Sequence, residues 1–346
     1  MRLSLPVVVM VLSSLSAAAQ EPASADALYQ RALALHDSGD YNGAIAIYKE
    51  LLKTAPDNET VRYELTYSTL AKGDTAETIR LATEGARRPG PTQVRYLELL
   101  GNAYDAEHRP MEAVEAFKRG IKADPSYAPI HLNLGITYGR QNKLKDAREA
   151  FENAIAADPR YASPQLMIAS VYQADGYRVP AILAFGRFLS LERTTARAAI
   201  AAKNLHELVA GSVQGATPGN LQILINPDAK KDLGDFTSLE LALSIVVAGG
   251  QLKEKDTAPK SEAERAADAL AMFMSMLAER ADDYKSGYIG KTYVPFYAAL
   301  VKAGHHSAFA YLTLSPLKLT GSNEWLSTHQ ADVGALNQWL RTYDGK

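Results

Sequence analysis

The chain has 346 residues, 47% of them hydrophobic and 22% charged, a globular balance with enough apolar material for more than one folding unit. A formal charge of −2 leaves no basic footprint for nucleic acid, and the absence of cysteine rules out a disulfide framework, a zinc ribbon and a thiol nucleophile.

In chain order, residues 1–19 read as a signal peptide. Arg2 supplies the positive start, Leu3 to Leu15 the apolar stretch, and Ala17-Ala18-Ala19 the small residues before a cleavage ahead of Gln20. The competing reading is a retained anchor or a buried first helix, but the stretch is short and Pro6 interrupts it. Export to a bacterial periplasm or beyond is the expectation, with no membrane span after signal cleavage. A thiol-free chain fits that route.

A repeat follows. The string from Gly39 to Asn58, GDYNGAIAIYKELLKTAPDN, returns as RPMEAVEAFKRGIKADPSY from Arg109 and as KLKDAREAFENAIAADPRY from Lys143. With the register set by Pro56, Pro125 and Pro159, units begin at Ala25, Glu59, Val94, Ala128 and Ala162, at spacings of 34, 35, 34 and 34 residues. The extra residue falls at Arg88-Pro89-Gly90-Pro91, where a loop grows easily. The eighth place of each unit is small: Ala32, Thr66, Gly101, Gly135 and Ala169. So is the twentieth: Ala44, Thr78, Ala113, Ala147 and Ala181. Short side chains let two helices approach closely, and the aromatics Tyr104, Tyr138, Tyr172, Tyr48, Phe117, Phe151 and Phe185 fill the space left over. Thr69, Ala82, Gly90, Pro180 and Arg193 depart from the pattern, so the second and fifth units are degenerate.

Residues 25–193 thus resemble five units of the tetratricopeptide repeat family, whose 34-residue element is a pair of antiparallel helices. The resemblance implies an all-α fold: a right-handed superhelix of helix pairs over 25–213, the helix from Ala196 to Val213 capping the stack. It also implies a concave groove lined from the second, fifth, ninth and twelfth places of each unit. Those places point to Tyr29, Leu33 and His36; Tyr63 and Tyr67; Arg95, Glu98, Asn102 and Asp105; Leu132, Ile136 and Arg140; and Leu166, Ser170 and Gln173. Asn102 and Asn133 fall where family members present amides to a bound backbone. A clamp for a terminal carboxylate is not expected, because Glu98 holds the lysine place and Ser163 and Met167 stand where basic residues belong. An extended peptide or a helix is the expected occupant.

Beyond the repeats the period is lost. Gly215 to Gly219 reads as a linker, Leu221 to Ile225 as an extended segment, and 220–346 as a smaller, mainly helical C-terminal domain without a family resemblance. Thr237-Ser238-Leu239-Glu240 and Ser261-Glu262-Ala263-Glu264 have the form of capping boxes, the first leading a helix to Ala248, the second one to about Ala281. Gly249 to Lys260 reads as a charged, mobile connection. Met272, Phe273 and Met276 widen the apolar stripe of the second helix nearly all round, which predicts a central, buried helix, with an adaptable methionine binding surface as the alternative. Helical stretches are also predicted over Tyr293–Val301, His306–Leu314 and Val333–Tyr343.

No chemistry-bearing motif emerges. His206-Glu207 opens like a zinc-protease helix, but Ala210 stands where the second histidine is needed, and His305-His306 more readily start a helix than hold a metal. No nucleophile elbow or phosphate loop is present. The reading is therefore a non-enzymatic adaptor or scaffold that needs no cofactor and takes a protein or peptide partner in its groove. The alternative makes the C-terminal domain an enzyme or a cell-envelope ligand-binding domain, with the repeats as docking arm.

Overall fold

The computed structural model describes residues 24–210, 213–217, 220–223, 233–252 and 260–343, so the expected signal peptide lies outside the described residues. The chain forms two compact units, divided between Leu81 and Ala82.

The first unit holds α1 (Ala25–Asp37), α2 (Tyr41–Thr54), α3 (Glu59–Ala71) and most of α4 (Thr75–Gly85). Side chains cap the starts of all four: Ser24 accepts from the Ala27 amide, Asp40 from Gly43, Asn58 from Val61 and Asp74 from Glu77. The turns between paired helices need a positive φ, supplied by Gly39 at 86° and Gly73 at 87°. Ala32, Ala44, Tyr48, Leu51, Val61 and Leu65 form its core.

The second unit begins with three more helix pairs: α5 (Gln93–Ala106) with α6 (Pro110–Ala123), α7 (Ala128–Arg140) with α8 (Leu144–Ala157), and α9 (Ala162–Ala174) with α10 (Arg178–Leu191). Each first helix starts within one residue of its sequence register. The crossing points are as tight as the small residues predict. A methyl added at Gly101 would stand 2.3 Å from the Phe117 ring, and one at Gly135 2.5 Å from Phe151. Proline ends the second helices through the residue before it, since Ala55, Asp124 and Asp158 are driven to ψ of 72°, 98° and 97°.

The α10 helix is unlike the other second helices, with eleven of its fourteen residues buried. It is enclosed because the elements that follow pack around it: α11 (Ala196–Ala210), α12 (Thr237–Leu252) and α16 (His306–Leu314). The Tyr297 hydroxyl donates to the Leu183 carbonyl at 2.7 Å and lies over Gly186, while Tyr293 donates to Gln165 of α9 at 2.8 Å. One apolar core therefore runs from Phe151 through Phe185 and Phe188 to Phe273, Phe296 and Phe309.

Several expectations for this half are corrected. The helix after Ala196 stops at Ala210, and Val213 instead opens a strand, β1 (Val213–Thr217). That strand pairs antiparallel with β2 (Asn220–Ile223), Val213 facing Ile223, so part of the expected linker is one arm of a hairpin. Thr237 is not the cap of its helix; Asp235 accepts from both the Thr237 amide and its hydroxyl. The α12 helix also runs through Gly249 to Leu252, into the stretch read as a mobile connection. By contrast, Ser261 and Glu264 form the complete reciprocal box at the start of α13 (Glu262–Glu279). Short helices α14 (Gly287–Thr292), α15 (Val294–Lys302), α17 (Ser322–Thr328) and α18 (Gln330–Thr342) complete the unit. No described helix is long and apolar enough to cross a membrane.

Candidate functional site

In the first unit, Tyr63 and Tyr67 stand one turn apart on α3, which sets their rings parallel, 5° between planes and 6.2 Å between centres. Tyr67 also stacks on His36 of α1 at 4.8 Å, and His36 meets the edge of Tyr41 at 5.2 Å. A hydrogen bond of 2.8 Å between His36 Nδ1 and the Ser68 hydroxyl fixes the imidazole. The ladder is a rigid aromatic surface, and 42% of Tyr67 is open to solvent. Tyr29 is not part of it. It packs on Tyr48 at 6.2 Å, and burial, with the Glu64 charge adding, pushes its hydroxyl above the usual phenol range. Sequence reading missed Tyr41 and Ser68. Ser68 lies 32 residues from His36, so no local spacing marks it.

In the second unit, Arg95, Glu98, Asn102 and Asp105 follow one another on α5 at helical spacing, opposite Asn133 and Arg140 of α7. Glu98 is the hub. One carboxylate oxygen accepts from the Tyr127 hydroxyl at 2.8 Å, the other from the Asn133 amide at 3.0 Å. Burial raises its pKa above the usual carboxylate range, against the pull of those two donors and of the nearby Arg95 charge. Farther along, Asp105 pairs with Arg140. Between these two cross-helix links lies Asn102, half-buried and without a hydrogen bond to any described residue. Gln173 of α9 is half-buried in the same way. Leu132 lines nothing, being buried in the core, and Ser163 is held by Arg197 at 3.0 Å.

The arrangement offers a primary amide with both its donor and acceptor available, flanked by fixed charges of both signs. A peptide backbone presents the complementary acceptor and donor. A terminal carboxylate would meet Glu98 first.

A separate cleft of about 870 Å³ opens between α11, α12, α13 and α16, with Val209, Ile245, Ala269 and Met272 among its apolar walls. Met272, expected in the core, is 50% exposed there, whereas Phe273 and Met274 are fully buried. At its rim Lys260 pairs with Asp268, whose carboxylate holds the lysine's pKa above its usual value. Among the described residues no three histidine or carboxylate side chains converge on a common point.

Family models described as tetratricopeptide repeat match residues 98–162 and 132–172, and a second such model matches 12–68. The chain carries tetratricopeptide repeats over the matched residues. Solved structures similar to the chain include MamA, 25% identical over 48% of this chain and 96% of that one, with a TM-score of 0.40. A tetratricopeptide protein of Thermus thermophilus is 18% identical over 54% of this chain and 99% of that one, at 0.45. YrrB, described as a tetratricopeptide protein with an unusual peptide-binding site, is 17% identical over 53% and 93%, at 0.38. No curated protein sequence matches the chain.

Proposed function

We propose that the chain is an exported adaptor that holds an extended segment of a protein partner on its repeat surfaces and runs no reaction of its own. The observation that carries this reading is the strip on α5 and α7. There Glu98–Asn133 and Asp105–Arg140 lock two helices together and leave the Asn102 amide unengaged between them. Polar residues on a solvated helix face normally turn to water. Here the neighbours are instead fixed by cross-helix bonds, which preorganises the amide and lowers the ordering cost of binding. The Tyr63–Tyr67–His36 ladder of the first unit supplies the second kind of anchor, an aromatic surface for apolar or proline-bearing side chains. The leader-like start, Arg2 followed by Leu3 to Leu15 and Ala17-Ala18-Ala19, supports a periplasmic or secreted location.

The cleft beside Met272 supports a second reading, in which the C-terminal helices take an apolar ligand and the repeats act as docking arm. One experiment separates the two. A photo-crosslinking residue is placed singly at Tyr67, Asn102 or Met272 in the producing cells. Capture of one protein from positions 67 or 102, lost in a Tyr67→Ala, Asn102→Ala, Arg140→Ala variant, is the expected result. Capture from Met272 alone would transfer the function to the cleft, and capture from none would end the adaptor reading.

A further inference from the structure

Three arginines of the second unit gather near the C-terminal half of α18, and none of them is bonded to a carboxylate of a described residue. Arg187 of α10 lies with its guanidinium carbon 4.4 Å above the Phe296 ring and makes one hydrogen bond, from Nη1 to the Ser190 hydroxyl at 3.0 Å. Arg193 donates to the Ser190 carbonyl at 3.2 Å and to Asn337 at 2.9 Å. Arg160, from the turn between α8 and α9, donates to the Arg341 carbonyl at 3.2 Å. Asn337 and Arg341 are about one helical turn apart, so Arg193 and Arg160 meet α18 at neighbouring turns, while Arg187 lies beside them on Phe296, near enough for the Arg160 charge to act on it. The nearest acids in sequence are turned elsewhere: Asp158 accepts from the Arg160 backbone amide, and Glu192 from Arg197 and Thr195.

Each guanidinium carries five N–H donors in a planar fork. Four hydrogen bonds in total use few of them, and none of the three has a nitrogen sealed away without a partner. The unused donors therefore reach solvent. Burial, with the repulsion of Arg160 contributing, lowers the pKa of Arg187, and burial lowers that of Arg193, the signature of cations held with less water than they prefer. A structural role alone leaves most of the charge unanswered. The α18 C-terminus contributes only about half an elementary negative charge.

We propose that Arg160, Arg187 and Arg193 form a binding site for a phosphate group carried by a ligand. One carboxylate would leave two cations unbalanced. A phosphomonoester brings a charge of about −1.5 to −2 and three acceptor oxygens, which suits several forks at once. The Phe296 ring beneath Arg187, with Trp339 5.6 Å from it, gives the site an apolar floor.

The test is titration calorimetry on the full chain at low chloride, with inorganic phosphate and sn-glycerol 3-phosphate as soluble probes. Sedimentation with phosphatidic acid–phosphatidylcholine vesicles tests the lipid source. Saturable phosphate binding is expected, stronger than acetate at matched ionic strength. Arg160→Gln, at an exposed position and checked for unchanged helicity, weakens it about tenfold or more. Arg187→Lys, which keeps the charge but not the fork, falls between. Tighter binding of glycerol 3-phosphate identifies a soluble ester, and vesicle binding without it a lipid headgroup. The proposal is overturned if phosphate does no more than chloride, or if neither variant changes its affinity.

Discussion

Glu98 stands at the centre of the α5–α7 strip, and two opposing effects act on it. Hydrogen bonds from Tyr127 and Asn133 favour the carboxylate, while loss of water favours the neutral acid, and the net shift is upward from 4.5. Desolvation therefore wins. The folded state then holds the proton more tightly than the unfolded state does, so stability falls as pH rises through the folded pKa. Carboxylates such as Glu192, lowered by its bond from Arg197, act in the opposite sense and lose their contribution as pH falls. Glu98→Gln keeps an acceptor for Tyr127 or Asn133 and removes the buried charge. Urea unfolding is expected to show the variant more stable than the parent at pH 7, the difference shrinking toward pH 4.5. A variant less stable at pH 7, or a difference indifferent to pH, would show that the hydrogen bonds outweigh desolvation.

Helix pairing rests on where a side chain is missing. On α7, Gly135 has the Phe151 ring where its Cβ would be, while Gly139, one turn on, has open space. Gly135→Val is thus expected to destabilise by about 1–3 kcal/mol or more through overpacking. Gly139→Ala is expected to stabilise by about 0.5–1 kcal/mol through helix propensity and a less flexible unfolded chain. Thermal unfolding of the two variants checks both signs, and equal effects would remove close approach as the reason for glycine at the crossing point. This small-against-large pairing repeats with the chain, which is why the helix starts at Ala25, Glu59, Ala128 and Ala162 are legible in the sequence alone. Register sets which groove candidates share a helix, but it does not give their partners and it offers Leu132, which is buried in the core, on the same footing as the rest. Tyr127 and Ser68 reach Glu98 and His36 across 29 and 32 residues. The hairpin is hidden because a Gly-Ala-Thr-Pro-Gly run also reads as a linker, and only pairing of Val213 with Ile223 distinguishes the two. Met272 is misplaced for a related reason. Periodicity shows that a helix is apolar all round but not which side its neighbours leave open.

At the scale of the whole second unit, the bonds that decide the architecture join residues 114 and 128 positions apart, Tyr297 to Leu183 and Tyr293 to Gln165. No local pattern carries them. They mean that α10 belongs as much to the C-terminal helices as to its own repeat. Ile182, Leu183, Phe185, Phe188 and Leu189 are each at most 1% exposed, a burial that α9 alone does not supply to a helix enclosed on several sides. Baring three such side chains costs roughly 1.5–3 kcal/mol each. The sum is on the order of the 5–15 kcal/mol that holds a whole domain together. A chain ended after Arg193 is therefore expected to lose the α9–α10 pair, with lower helicity than its sequence share, strong binding of an apolar dye and association at micromolar concentration. Restoring α11 alone repairs only part of this, because Tyr293, Tyr297 and Phe309 arrive from farther along. If the shortened chain were instead monomeric, fully helical and dye-silent, the repeats would be self-sufficient, and the C-terminal helices would be an attachment rather than the completion of their core.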